Sequence, residues 1–104
     1  MVIVAKVTPT GRCFVDVRTP NKSKAVNSVA QDMIVSLDTI LGQKADFQPT
    51  TSNSTQVVDL ESGITLYNVR TIERSGGHFQ VGVYPQTNDA REYLRKVVID
   101  HLPQ

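Results

Sequence analysis

Three basic residues form the most specific chemical feature of the sequence. Arg18, Lys22 and Lys24 lie close together, where a strand-type segment gives way to a predicted helix. The positive end of the helix dipole makes cations weakly unfavourable at such a position. Beside free backbone N–H groups, however, the same cations are suited to holding phosphate or an acidic partner. We therefore predict an anion- or partner-binding site here, with a solvated basic surface as the alternative.

The three tyrosines of the chain are a second candidate set. Tyr67, Tyr84 and Tyr93 each combine an apolar ring with a polar hydroxyl. Such side chains serve as anchors in protein interfaces and as stacking platforms for bases. We predict an interface role for them, with half-buried positions on a sheet as the alternative.

Residues suited to catalysis or metal binding are sparse and far apart. His78, His101 and the single Cys13 do not supply the three or four ligands of a zinc site at a recognisable spacing. Asp59 and Glu61 alternate on one face of a strand, where a solvated pair is the ordinary interpretation. No nucleophile and base can be paired from the spacing. We expect a non-enzymatic protein with no metal, no cofactor and no small-molecule substrate.

A long amphipathic helix over residues 22–42 positions the basic cluster. Its apolar residues recur at three- and four-residue spacings and form one stripe: Val26, Val29, Ala30, Met33, Leu37, Ile40 and Leu41. Asn21 or Ser23 is suited to cap the start of this helix, and Gly42 to end it. The apolar stripe must lie on another surface, which we expect to be a sheet.

Strand-type sequence fills five further segments, namely 2–7, 13–18, 55–61, 64–73 and 78–84. The first is apolar at nearly every position, which favours a central or doubly covered strand. Residues 62–63, Ser-Gly, predict a tight two-residue turn. The polar segment 43–54 is rich in Ser, Thr, Asn and Gln and is predicted as a mobile loop. Thr87 or Asn88 is suited to cap a second helix.

The resulting order is strand, strand, helix, strand, strand, strand, helix. Two helices on an antiparallel sheet satisfy the packing of layers, so we predict an α+β two-layer sandwich with about five mainly antiparallel strands. The whole of 1–104 is expected to be a single domain, because neither side of the polar segment 43–54 could bury its apolar face alone.

Composition narrows the class of protein. Hydrophobic residues make up 39 % and charged residues 20 %, which is typical of a globular chain and argues against a disordered one. One cysteine excludes an intramolecular disulfide and favours a reducing compartment. No segment reaches the roughly 18 apolar residues of a membrane span, and the N-terminal apolar run is too short for a signal peptide. We therefore expect a soluble, cytoplasmic protein.

The order of elements resembles that of longin-like and roadblock-like modules. The resemblance lies in Ile64-Thr-Leu-Tyr-Asn-Val-Arg-Thr-Ile-Glu, then Gly76-Gly-His-Phe-Gln-Val-Gly-Val-Tyr, then the helix from Asn88, which are similar to the second half of such a domain. Those modules are adaptors in membrane traffic and in the regulation of small GTPases. The resemblance implies a non-enzymatic adaptor.

Three functions remain open from the sequence. We expect a protein–protein interaction or scaffold module that forms a homodimer or a subunit of a larger assembly, because an open sheet leaves two edges for pairing. One alternative is a small nucleic-acid-binding domain that uses the basic helix start, which the net charge of +1 neither supports nor excludes. The other is a viral or phage structural or host-modulating protein, which fits the polar segment 43–54 equally well.

Overall fold

An antiparallel sheet with two helices forms the molecule. The computed structural model describes residues 2–7, 12–17, 19–73 and 79–101, with side chains at 12–17, 19–72 and 79–94. The elements follow in the order β1 (Val2–Val7), β2 (Cys13–Val17), α1 (Lys22–Leu41), β3 (Ala45–Thr51), β4 (Ser54–Asp59), β5 (Thr65–Glu73), β6 (Phe79–Pro85) and α2 (Asn88–His101). The predicted α+β class, with its antiparallel sheet and two helices, is confirmed.

The six strands lie in the order β1-β2-β6-β5-β4-β3. After the β1–β2 hairpin, α1 carries the chain to the far edge, and β3, β4, β5 and β6 return strand by strand until β6 pairs with β2. All five pairings are antiparallel. The sheet is therefore two hairpin systems joined along β2 and β6.

Both helices pack on one face of this sheet. Helix α1 contributes the buried stripe Ala25, Val26, Val29, Ala30, Met33 and Leu37. These residues share one core with Cys13, Val15 and Val17 of β2, with Val81 and Val83 of β6, and with Ala90 and Leu94 of α2. The predicted stripe is thus the buried one, although Ile40 and Leu41 at its end are only partly buried.

The predicted helix caps are present. Asn21 caps α1, since its Oδ1 accepts a hydrogen bond from the backbone N–H of Lys24 at 3.0 Å. Gly42 ends α1 in the left-handed conformation, with φ of 64°, and donates its N–H to Asp38 O at 2.9 Å. Thr87 Oγ1 accepts from Ala90 N at 2.9 Å at the start of α2. Each cap satisfies groups that a helix end leaves unpaired.

The prediction of a mobile loop over 43–54 is wrong. Most of this segment forms β3, which pairs with β4 around the two-residue turn Ser52-Asn53. Hydroxyls fasten the end of the hairpin, because Thr50 Oγ1 lies 2.6 Å from Ser54 Oγ and Thr51 Oγ1 donates to Asn53 Oδ1 at 2.7 Å. Threonine is a good strand residue despite its polarity. The sheet consequently has one strand more than the five expected.

The turn between β4 and β5 is also longer than predicted. β4 ends at Asp59, and residues 60–64 precede β5 in place of a two-residue Ser-Gly turn. The Asp59 carboxylate accepts hydrogen bonds from Ser62 N at 3.0 Å and Ser62 Oγ at 2.7 Å. Gly63 adopts a φ of 74°, which favours glycine. A carboxylate that caps its own turn competes with continuation of the strand.

Strand β1 lies at an edge of the sheet, so of the two predicted placements, central or doubly covered, the central one is wrong. Central places go to β6 and β5, which also alternate between apolar and polar residues. An apolar run is as compatible with an edge that another chain covers as with a central strand.

Candidate functional site

The start of α1 differs in part from the predicted anion site. Arg18 lies outside the described residues. Lys22 is half-buried and Lys24 is exposed. The Lys24 amide is already bonded to Asn21, and Ser23 Oγ donates to Ser52 O of the β3–β4 turn at 2.8 Å. One amide needed for the predicted site is thus occupied internally, and binding at Arg18, Lys22 and Lys24 stays a prediction.

Lys24 instead lines an open groove between α1 and β3. The groove encloses about 530 Å³ and is lined by Lys24, Asn27, Ser28, Gln31, Asp32 and Phe47. Partial burial raises the pKa of Asp32 above its ordinary value. Lys24 and Asp32 are eight residues apart on the helix, which corresponds to roughly 12 Å along its axis. The groove therefore carries opposite charges at its two ends.

The three tyrosines lie in three different environments. Tyr67 is fully buried in the core, where its hydroxyl donates to Ala90 O at 2.5 Å. Burial, with a smaller contribution from nearby Tyr93, raises the pKa of its phenol. This position is incompatible with the predicted interface role of Tyr67, because a strand–helix tie inside the core cannot contact a partner. Tyr84 and Tyr93 remain accessible in part.

Tyr93 borders a second concavity, on the helical side of the sheet. This cavity of about 650 Å³ is lined by Leu41, Gly42, Gln43, Lys44, Asp59, Leu60, Glu61 and Tyr93. Lys44 Nζ pairs with Asp38 Oδ1 at 2.6 Å. Hydrogen bonds from Ser62 lower the pKa of Asp59. A carboxylate held ionised in this way by its own turn is a structural group and a poor general base.

The opposite face of the sheet, which neither helix covers, is here called the open face. Its described side chains alternate with the core residues along the strands: Phe14 and Asp16 on β2, Gln80, Gly82 and Tyr84 on β6, Asn68, Arg70 and Ile72 on β5, Ser54, Gln56 and Val58 on β4, and Asp46, Gln48 and Thr50 on β3. Antiparallel sheets commonly leave one face to solvent or to a ligand.

An aromatic cluster lies on the β2–β6 part of the open face. The Tyr84 ring folds back over Gly82, so that a Cβ at Gly82 would lie 2.6 Å from Tyr84 Oη. Phe14 meets this ring edge-on, with centroids 6.3 Å apart and planes at 89°. The Arg12 guanidinium lies over the same ring, 5.6 Å from its centroid. Arg12, Phe14, Gly82 and Tyr84 therefore form one packed unit, called the aromatic cluster below.

Polar planar groups continue from the aromatic cluster across the sheet. Phe14 lies opposite Gly82, which lies opposite Arg70, which lies opposite Ser54. In the adjacent row, Tyr84, Asn68, Gln56 and Gln48 follow one another across four strands. Side chains directly opposite on one face have Cβ atoms about 4.5–5.5 Å apart. Asn68 is therefore the nearest amide neighbour of Tyr84, and Gln56 and Gln48 extend the row away from the rings.

Sequence reasoning identified Tyr84 but missed its partners. Phe14 lies on the side of β2 away from Cys13, Val15 and Val17, where it is half-buried. The signal that could have found the cluster is Gly82, because a glycine inside a strand often marks the close approach of another group. Arg12 carries no comparable signal, since its contact with Tyr84 depends on the pairing of β2 with β6.

The described residues contain neither a cluster of metal ligands nor a helix of membrane-spanning character. No group of three or more His, Cys, Asp or Glu side chains lies close enough there to hold a metal ion. Neither α1 nor the described part of α2 combines the length and the apolar character needed to cross a bilayer.

Comparison with known proteins gives no relative: no family model, no curated protein and no solved structure matches the chain significantly. The resemblance to longin-like and roadblock-like modules accordingly stays a prediction from the order of elements.

Proposed function

We propose that this chain is a non-enzymatic, cytoplasmic protein–protein interaction module that forms a homodimer through the edge strand β1. The observation that carries the proposal is the difference between the two edges of the sheet. One edge contains a proline and a backbone donor that is bound by a neighbouring carboxylate, while the other is an apolar strand without proline.

The β3 edge carries several features that prevent pairing. The Phe47 N–H donates to Asp46 Oδ1 at 2.8 Å, so this donor is used by a neighbouring carboxylate. Pro49, two residues later, has no N–H and is exposed. The register also shifts between Pro49 and Thr51. Charges, proline and irregular register are the usual means by which a sheet edge avoids another chain.

The β1 edge has fewer of these features: it carries one lysine, Lys6, and one register shift, between Val2 and Val4. Its sequence, Val-Ile-Val-Ala-Lys-Val, contains no proline and a single charge. Within the described chain β1 pairs only with β2, and that register is regular from Val4 to Val7. An apolar strand at an edge is a template for strand addition.

A second copy is the occupant that we propose for this edge. Antiparallel pairing of β1 with its symmetry mate uses the same surface twice, as in most small homodimers. It would join the two sheets into one continuous sheet. Strand β1, whose apolar sequence favours a central position, would then lie between two neighbouring strands. A reducing compartment suits a chain whose single cysteine, Cys13, is buried.

Sedimentation velocity from about 1 µM to about 500 µM tests the proposal. The dimer fraction should rise with concentration, and Val4→Lys should weaken association at least tenfold because a lysine blocks an edge. Gln48→Lys adds the same charge at the β3 edge and should leave association unchanged. A strict monomer over this range overturns the proposal. Equal effects of the two lysines would contradict the assignment to β1.

A further inference from the structure

We propose that the open face binds single-stranded nucleic acid, with bases against the aromatic cluster and phosphates near Arg12 and Arg70. This binding site is independent of the proposed dimer, because it uses a face of the sheet and not an edge. The inference rests on the geometry of the cluster, on the charges beside it and on the kind of polar group around it.

The aromatic cluster offers fixed planar surfaces. Tyr84 is held down on Gly82 and its ring contacts both Phe14 and Arg12. Phe14 and Tyr84 are only half-buried, although they belong to strands that are paired on both sides. Bases stack on aromatic rings and on guanidinium planes, and small antiparallel sheets present such side chains to single strands. A ring already ordered in the unbound protein loses little freedom on binding.

The charge beside the cluster suits phosphate. Arg12 and Arg70 are both exposed. The residues directly opposite Arg70 are Gly82 and Ser54, so no carboxylate neutralises it from the adjoining strands. Among the described side chains of the open face, the acidic ones are Asp16 and Asp46, opposite Gln80 and Val58 respectively. The two arginines thus place positive charge on both sides of the aromatic rings, and Asp16, two residues from Phe14, is the described acidic side chain nearest to them.

The remaining groups favour nucleic acid over a protein partner. Asn68, Gln56 and Gln48 present amides that both donate and accept hydrogen bonds, as base edges do. Aliphatic side chains on the described open face are few: Ile72 is half-buried, and Val58 is only 9 % exposed. A protein interface of useful stability buries an apolar centre that such a surface does not provide.

The size of the surface sets the length of the strand. Five strands, β2, β6, β5, β4 and β3, carry the cluster and the two rows of polar groups. At about 4.8 Å between strands, they span roughly 19 Å. That distance accommodates a few nucleotides. An oligonucleotide of about twelve nucleotides is therefore longer than the site and covers all of it.

Fluorescence anisotropy with labelled oligouridine and oligothymidine, each of about twelve nucleotides, tests the proposal. We expect saturable binding that weakens as salt rises. Phe14→Leu should weaken it about tenfold, which is the loss of one stacked base. Arg70→Gln should lower the salt slope by about one. Preference for oligouridine would identify RNA as the ligand. Equal affinity for the two oligonucleotides would show that the site accepts both RNA and DNA.

Arg91→Gln is the matched control. Arg91 is exposed on α2, on the opposite side of the sheet. Arg91→Gln removes one positive charge, as Arg70→Gln does. Binding should be unaffected by this change. Equal losses for Arg70→Gln and Arg91→Gln would overturn the open-face site in favour of unspecific attraction, as would absence of binding at low salt. A shift of self-association by Arg70→Gln without nucleic-acid binding would identify the face as a protein interface and also overturn the proposal. Thermal melting of each variant checks that the fold is intact.

Discussion

The Thr55 hydroxyl donates a hydrogen bond to Oδ1 of Asn27, 2.9 Å away, and thereby joins β4 to α1. Thr55 is 1 % exposed and lies on the helical face of the sheet, whereas Asn27 lies at the margin of the groove beside β3. Apolar contacts alone would tolerate a shift of α1 along the sheet. A buried hydroxyl with one matching acceptor does not, because an unsatisfied buried polar group is costly. The bond therefore helps to set where the basic start of α1 lies.

Replacing Thr55 by valine tests this contact. The change keeps the shape and removes the donor, so the free energy of unfolding should fall by about 1 kcal/mol. Urea unfolding measures the loss. Asn27→Ala should cost a similar amount, and the double variant should cost less than the sum of the two single changes. Strict additivity in this cycle would show that the two side chains do not interact.

Tyr67→Phe should destabilise the fold by about 1 kcal/mol, because the ring is fully buried and its hydroxyl donates to Ala90 O. The hydrogen bond connects β5 to the first turn of α2, so hydrogen exchange in α2 should also become faster. Tyr93→Phe is the control, since Tyr93 is half-buried at the edge of the core. Unchanged unfolding and exchange in Tyr67→Phe would contradict a structural role for this hydroxyl.

The helices were predictable because several local signals agree. For α1, the apolar stripe, the cap at Asn21 and the stop at Gly42 all indicate the same element. β3 was missed because threonine hydroxyls, counted as loop residues, make the hydrogen bonds that close the β3–β4 hairpin. The edge position of β1 could not be read from its residues, since it follows from β2 pairing with β6, a contact between distant segments.

The candidate site was less predictable for the same reason. The basic cluster was found as neighbours in sequence, but the aromatic cluster joins Arg12 and Phe14 to Gly82 and Tyr84 about seventy residues later. Register alone brings these residues together. The three tyrosines looked equivalent in sequence, and the full burial of Tyr67 and the half-burial of Tyr84 depend on which face of the sheet each occupies.

Acid should weaken the β4–β5 turn. Hydrogen bonds from Ser62 lower the pKa of Asp59 below its ordinary value of 3.8. A carboxylate whose pKa is lower in the folded state stabilises the fold above the unfolded pKa, and this contribution is lost as pH falls through the folded pKa. Asp59→Asn should therefore be less stable than the parent at neutral pH, and the difference should shrink in acid. Urea unfolding at a series of pH values measures it, and a difference that grows in acid would contradict the assignment.

Gly82→Ala should displace the Tyr84 ring while keeping the fold. The new Cβ would lie 2.6 Å from Tyr84 Oη and 2.7 Å from Cε2, which are closer than real atoms allow. Because these atoms are the far end of a rotatable side chain, the ring can move, and stability should change by less than about 1 kcal/mol.

Loss of the nuclear Overhauser contacts between Tyr84 and Phe14 would report the displacement of the ring. Gly42→Ala is the control, because it strains the backbone without a steric clash: a Cβ there has no neighbour within 4 Å, but φ is 64°. The free energy of unfolding should therefore fall by about 1 kcal/mol, while the contacts between Tyr84 and Phe14 stay intact. Under the open-face proposal, only Gly82→Ala should also weaken oligonucleotide binding. Retained ring contacts in Gly82→Ala would contradict the close packing of Tyr84 on the strand.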